Sequence, residues 1–350
     1  MRLNDLFIDE NFIIKDAIKK LDETAKKILI VTEENKLKGI ITDGDIRRWI
    51  LKSGNLQERV AAVMNRTPIY ILDRDIANAK RILKEEMIEA IPVINSENEV
   101  IDIVFWNDNF KRKLNFYKKL TNPVVIMAGG QGARLDPYTR IIPKPLIPIG
   151  DTPIVERIIN RFTEYGCSKF YMTVNYKKNM IKSYFGEIDK DYEISYIEEE
   201  SPLGTAGSLS MLSGAINDTF FVSNCDILID ANYSDMLKYH KENKNKITLI
   251  TSLKHFMIPY GVIEIGTASD VDKLIEKPEY DFLVNTGMYI LEPETLKDIP
   301  KDTFFHITEL INYYIGTGEK VGIYPVSDKS WLDMGQIKEM ESMLERLDIR

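Results

Sequence analysis

A chain of 350 residues, 44% of them apolar, has material for two or three domains with cores of their own. Its net charge of -8 and pI near 5.2 exclude general attraction to nucleic acid, so any anion it binds must meet a local cluster of cations. Two cysteines, Cys167 and Cys225, make neither a disulfide framework nor a metal-ligand pattern. No apolar run approaches the roughly 18 residues of a membrane span, and the opening MRLNDLFIDENF has acids where a signal peptide has its apolar core. The expectation is a soluble cytoplasmic protein with no membrane or nucleic-acid partner.

The first elements repeat. ILIVTEENKLKGIITDGDIRRW from Ile28 parallels IPVINSENEVIDIVFWNDNFKR from Ile91 at a constant offset of 63 residues, with tips Glu34-Asn35 and Glu97-Asn98. Each copy reads as strand, polar hairpin, strand and helix, preceded by helical patterns near Lys15–Leu21 and Ile76–Glu86. This tandem resembles a pair of cystathionine-β-synthase-type (CBS) domains, with copies over 1–60 and 61–120, the second including a connector helix. The resemblance implies a regulatory adenine nucleotide, with Thr42 on phosphate and Asp45 on ribose. The second copy has Asp108 but Phe105 where the threonine would stand. Thr42, Asp43 and Asp45 equally suit the start of the helix IRRWIL, and the sequence leaves these two readings level. FKRKLNFYKKL, from Phe110 to Leu120, predicts a basic amphipathic helix with a solvated face.

From residue 121 to 350 strands and helices alternate. PVVIMA, KFYMTVNY, YEISYIEE and TFFVSN read as strands, and PIVERIINRFTEYG, MIKSYFGEI and YSDMLKYHKENK as helices. GSLSMLSGAI continues the alternation; KITLITSL, GVIEIG and LVNTGMYIL are strand-rich; HITELINYYIG and GQIKEMESMLERL are helical. The pattern predicts an α/β fold: a mostly parallel, Rossmann-like mixed sheet with flanking helices, preceded by the smaller α+β tandem. Such sheets bind ligands at the carboxyl ends of their strands.

MAGGQGARLDPYTRIIPKP follows the first of these strands. Leu135 stands where a dinucleotide fingerprint needs its third glycine, Pro137 discourages an immediate helix, and the Gly-Lys-Ser/Thr of a Walker loop is missing. What remains is a glycine-rich turn whose N–H groups can approach an anion. Arg134 adds a forked donor, and Lys144 is stiffened by Pro143 and Pro145. This stretch, through LIPIGDTPIVE, resembles the signature loop of the sugar-1-phosphate nucleotidyltransferases, with Ala133 where Thr or Ser is usual. The resemblance spans the chain from Pro123 onward and implies a glycosyltransferase-A-like fold.

It also implies roles. Arg134 and Lys144 would be catalytic; Ala128, Gly129, Gly130 and Gly132, then Gly204, Thr205 and Gly207 of PLGTAGSL and Asn224 of NCDIL, would bind the nucleotide. Gly261 and Glu276 would meet sugar hydroxyls, Lys277 the sugar phosphate, and Asn285 the sugar. Asp226 and Asp333, of WLDMG, would hold Mg²⁺. The substrates would be a nucleoside triphosphate and a sugar 1-phosphate, giving nucleotide sugar and pyrophosphate, in a homo-oligomer. LGTAGSL resembles the guanylyltransferase branches. The CBS module ahead of the transferase resembles the glucosamine-1-phosphate guanylyltransferases of legionaminic-acid synthesis. Mannose 1-phosphate, heptose 1-phosphate, or thymidylyl or uridylyl transfer to glucose 1-phosphate stay open.

The residues themselves agree with such chemistry. A phosphate nucleophile with a second pKa near 6 needs no general base, and His240, His255 and His306 lie outside the motifs as surface or packing residues. Lone aspartates at strand ends also cap helices, and Glu276–Lys277 also suits an ordinary solvated pair. A metal-dependent glycosyltransferase would leave the Arg134–Lys144 loop unexplained. A nucleotide sensor with a dead transferase would have lost these charged residues.

Overall fold

The computed structural model describes residues 2–52, 54–86, 88–106, 119–267 and 270–346. The N-terminal module contains β1 (Phe7–Ile8), α1 (Ile14–Thr24), β2 (Ile28–Glu33), β3 (Lys36–Thr42) and α2 (Asp43–Leu51). Its second half contains β4 (Ile71–Leu72), α3 (Ala79–Glu85), β5 (Ala90–Ile94) and β6 (Val100–Phe105). The repeat extends to fine geometry. Each half has one parallel and one antiparallel strand pair, in the orders β1-β2-β3 and β4-β5-β6. Each hairpin carries an extra residue at the matching position, Lys38 between Leu37 and Gly39, and Ile101 between Val100 and Asp102. Asn35 and Asn98 both turn at positive φ, 65° and 66°. The pattern near Ile76–Glu86 opens as a 3-10 turn over Asp73–Asn78 before α3. Asp108 and most of the basic 110–120 stretch lie outside the described residues.

The larger unit begins with β7 (Val124–Ala128), α4 (Tyr138–Ile141), β8 (Pro148–Ile149), β9 (Thr152–Pro153), α5 (Ile154–Thr163), β10 (Lys169–Val174), α6 (Lys178–Glu187) and β11 (Glu193–Glu198). It continues through β12 (Phe220–Asn224), β13 (Ile227–Ile229), α7 (Tyr233–Glu242), β14 (Ile247–Met257), β15 (Val262–Ile265) and β16 (Val271–Ile275). Last come β17 (Glu279–Leu291), α8 (Ile307–Gly316), β18 (Val321–Val326), β19 (Trp331–Asp333) and α9 (Ile337–Arg346). Seven strands form one sheet in the order β11-β10-β7-β12-β17-β14-β18, with β17 antiparallel to both neighbours. Val124, Ile126 and Ala128 of β7 enter one core with α5, while Val125 enters another with α8. Burial on both faces explains why β7 is continuously apolar. Helix α5 buries Ile154, Val155, Ile158, Ile159 and Phe162, a single helical stripe.

Two expectations shift locally. GSLSML is a 3-10 turn, Gly207–Leu212, rather than a helix of full length. A short helix, α4, does begin directly after Pro137, which stands at its N-cap, where the missing N–H breaks no helical hydrogen bond. Among the described residues no helix is long and apolar enough to cross a membrane.

Candidate active site

The glycine loop leaves β7 at Ala128, in the middle of the sheet. Gly132 takes φ +70°, and a Cβ there would come within 2.9 Å of Lys144 Cβ and 3.0 Å of Thr139 Cγ2. The missing side chain therefore lets the Lys144 stem lie against the turn. Thr139 closes the loop by donating to the Gly132 carbonyl at 3.1 Å. Gly130 faces open space, so nothing in the protein explains the absence of a side chain there.

Lys144, 9% exposed, donates to Asp226 Oδ2, and Asp226 is itself 6% exposed. Asp226 follows β12 by two residues; β13 then pairs with β19 so that Ile227 opposes Asp333, and the Met334 N–H donates to the Asp226 carbonyl at 2.8 Å. The two carboxylates are thus fixed by one short ladder. Burial and then the charge of Asp226 raise the pKa of Asp333, opposed by the Gly335 N–H, by Lys144 and by Arg134. Arg134, exposed on its 3-10 turn, thereby belongs to the same electrostatic cluster. Arg134, Lys144, Asp226 and Asp333 share one site at the carboxyl ends of β7 and β12.

The two carboxylates supply the oxygen donors that a hard divalent cation such as Mg²⁺ takes, while Lys144 and Arg134 are donors suited to phosphate oxygens. That ion commonly keeps its waters and takes one or two carboxylates plus phosphate oxygens. Among the described residues no group of three or more His, Cys, Asp or Glu is placed to hold a metal ion, so the two carboxylates stand without a third side-chain ligand of that kind. Cys225 is buried beside Asp226 with its pKa pushed up to about 12, chiefly by desolvation, and is no thiolate ligand.

The sugar-side residues form a second group. A Cβ on Gly261 would lie 3.1 Å from Glu276 Oε2, so these two adjoin. Lys277 is exposed in a left-handed conformation, φ +45°, just before β17. Asn285 lies next to two extra residues that β17 carries against β14, with Gly287 at φ +88°. Its amide accepts from the Gly287 N–H at 3.0 Å and donates to the Tyr289 hydroxyl at 2.7 Å. Asn224 Nδ2 fills the space of the absent Gly287 side chain, 2.4 Å from where its Cβ would be. Asn224 therefore joins the two groups.

The PLGTAGSL loop has its own packing reason for glycine. A Cβ on Gly204 would meet the Phe305 carbonyl oxygen at 2.7 Å, and one on Gly207 the Thr303 carbonyl oxygen at 2.5 Å. Thr205 accepts from the Ile307 N–H at 3.0 Å and touches His306 at 3.4 Å, tying the loop to the start of α8. Glu199 escaped the sequence reading. It is 4% exposed, and one of its oxygens would be 2.7 Å from a Gly129 Cβ. Burial raises its pKa, against hydrogen bonds from the Leu203 N–H, Ser208 and Thr173, so it ties the two loops together. Its place just before PLGTAG was the available signal, hidden in a run of three glutamates.

His240 is fully buried between Thr248 at 2.7 Å and Glu292 at 3.1 Å, in a packing role. In the N-terminal module Thr42 and Asp45 form a reciprocal capping box for α2, and Asp45 also pairs with Arg48. Thr42 lines a cavity of about 430 Å³ walled on its other side by Arg161 and Asp230; Asp45 is not part of that lining.

Residues 123–348 match the family model described as Nucleotidyl transferase, and residues 1–52 match that of the CBS domain. Mannose-1-phosphate guanyltransferase of Saccharomyces cerevisiae is 30% identical over 235 residues, 62% of this chain and 62% of that protein. The Yarrowia lipolytica protein of that name is likewise 30% identical over 235 residues, 62% of each chain. The chain thus spans about 62% of the length of these curated relatives. Among solved structures, HddC from Yersinia pseudotuberculosis aligns with a TM-score of 0.52 at 23% identity, over 65% of this chain and 99% of that one. Its complex with GMP-PN aligns at 0.50 and 22%, with the same coverage. At these identities the likeness to HddC establishes the fold.

Proposed function

The chain belongs to the nucleotidyl transferase family, and on that premise we propose that it joins a nucleoside triphosphate, GTP, to a hexose 1-phosphate, releasing pyrophosphate. The observation that carries the reading is the convergence of Arg134, Lys144, Asp226 and Asp333 beside an open glycine turn. The difficulty of the reaction is the approach of two phosphate anions, so catalysis consists mainly of positioning and charge neutralisation. The Gly129–Gly132 turn and Arg134 hold the triphosphate and take up charge as pyrophosphate departs. Lys144, on its proline-braced support, places one ammonium against the reacting phosphates. Asp226 and Asp333 are the residues that would hold Mg²⁺, which when bound would neutralise phosphate oxygens and polarise phosphorus. The nucleophile is a phosphate oxygen that is mostly ionised at pH 7, so no side chain has to remove a proton. Lys277 retains the sugar phosphate, while Gly261, Glu276 and Asn285 meet the sugar.

Guanine is favoured by the LGTAGSL loop and by the names of the relatives. For the sugar, the CBS module ahead of the transferase favours glucosamine 1-phosphate, and the 30% identity to mannose-1-phosphate guanyltransferases favours mannose 1-phosphate as the second reading. An adenine nucleotide in the N-terminal module is a regulatory extension of the proposal. A matrix of triphosphates against sugar 1-phosphates, with Mg²⁺ and scored by pyrophosphate release, tests it. The expected result is release with GTP and one of these two sugars. Release with none of the pairs would remove the enzymatic reading.

A further inference from the structure

The strand pair carrying the sugar-side residues outgrows its sheet. β18 pairs with β14 only over Ile247–Ser252, and β12 pairs with β17 only over Met288–Leu291. Beyond those limits Leu253–Met257 and Glu279–Leu283 form a two-stranded ribbon, still paired from Leu253 with Leu283 to Met257 with Glu279. Glu276 and Lys277 lie at its outer end, next to the equally two-stranded β15–β16 hairpin that follows Gly261. An isolated two-stranded ribbon is marginal in water, so these residues need support from elsewhere to hold their positions.

Within the larger unit Lys254 pairs with Asp328, and the N-terminal module adds further support. Leu253, 6% exposed, is part of the module's own hydrophobic core. Lys15 of α1 reaches Asp281 at 2.9 Å and Glu279 at 3.4 Å, and Lys19, one turn on, reaches Glu279 at 2.5 Å. The Lys15 and Asp281 side chains are only 11% and 17% exposed, and Asp281 is braced from the ribbon side by His255 at 2.5 Å. Glu279 is two residues from Lys277, and Asp281 is four from Asn285.

We infer that the N-terminal module is the mount of the acceptor subsite: Lys15 and Lys19 are positioning residues that hold the β14–β17 ribbon in the geometry that receives the sugar phosphate. The inference rests on the proposed function for its substrate and on the ribbon alone for its mechanics. Loosening the ribbon lowers the fraction of molecules with a competent acceptor subsite, which raises the apparent KM for the sugar phosphate by the same factor. The triphosphate loop, on β7 in the middle of the sheet, is untouched.

The test uses the full chain with Lys15→Met and Lys19→Met combined, beside Lys15→Arg with Lys19→Arg and Glu279→Gln alone. The methionine variant is expected to raise the KM for the sugar 1-phosphate about tenfold and to leave that for the triphosphate within about twofold. The arginine variant is expected to stay near wild type, and Glu279→Gln, which keeps Lys15 on Asp281, to lie between. Hydrogen exchange without substrates is expected to speed up in 279–285 and not in 129–135. Equal rises in both KM values, or lower thermal stability with neither KM changed, would overturn the inference. So would unchanged exchange in 279–285. The exchange result stands even if the wild type releases no pyrophosphate, which separates failure here from failure of the proposed function. Should the methionine pair not fold, Glu279→Gln with the same two readouts decides.

Discussion

Replacing Lys144 by methionine removes one ammonium and keeps the stem that packs against Gly132. Two consequences follow from the geometry. Asp226, 6% exposed, loses the partner it meets directly and is left near a second carboxylate, Asp333. Removing one member of a buried pair costs about 3–5 kcal/mol, and some of that is recoverable when a divalent cation takes the place of the lysine charge. The reacting phosphates lose a fixed cation, worth about 2.7–4 kcal/mol, or 10²–10³ in kcat. Thermal unfolding with and without Mg²⁺, together with pyrophosphate release at saturating substrates, reads both. The expected variant is less stable without the metal, partly restored by it, and slower by that factor. A folded variant with kcat within about threefold of wild type would refute the role of Lys144 as a neutraliser of reacting phosphate.

Gly130→Ala faces open space and should leave stability unchanged while raising the KM for triphosphate. Gly207→Ala meets a carbonyl oxygen at 2.5 Å and should lose about 1–3 kcal/mol in denaturant unfolding. Asp333→Asn should abolish the Mg²⁺-induced rise in melting temperature and lower kcat at least about 10²-fold, read by calorimetry and initial rates. Asp22 has its pKa raised to about 6, first by burial and then by Asp328 and Asp43. Its folded value exceeds the unfolded one, so the native state holds the proton more tightly; the penalty is absent below about pH 4 and complete above about pH 6. Partly exposed, it should cost about 1–2 kcal/mol of the 3 kcal/mol upper limit, so Asp22→Asn should raise the melting temperature at pH 8 and not at pH 4.

The sequence by itself determined what is local or repeated. The offset of 63 residues carried through to a shared bulge and a shared left-handed asparagine, because hairpin geometry depends on a few adjacent residues. The glycine turn and Pro-Lys-Pro were legible for the same reason: backbone freedom and rigidity are properties of the residues in place. Tertiary structure alone decided what meets across the chain. Gly204 and Gly207 are needed by the backbone of Thr303–Phe305, a partner about a hundred positions away. Glu199 joins two loops that the sequence presents as separate, and Lys15 holds the ribbon through Asp281, a carboxylate more than 250 residues later. Single-chain periodicity encodes which face of an element is apolar. The partner of a buried charge depends on how the elements stack, and that is settled only when the whole core closes.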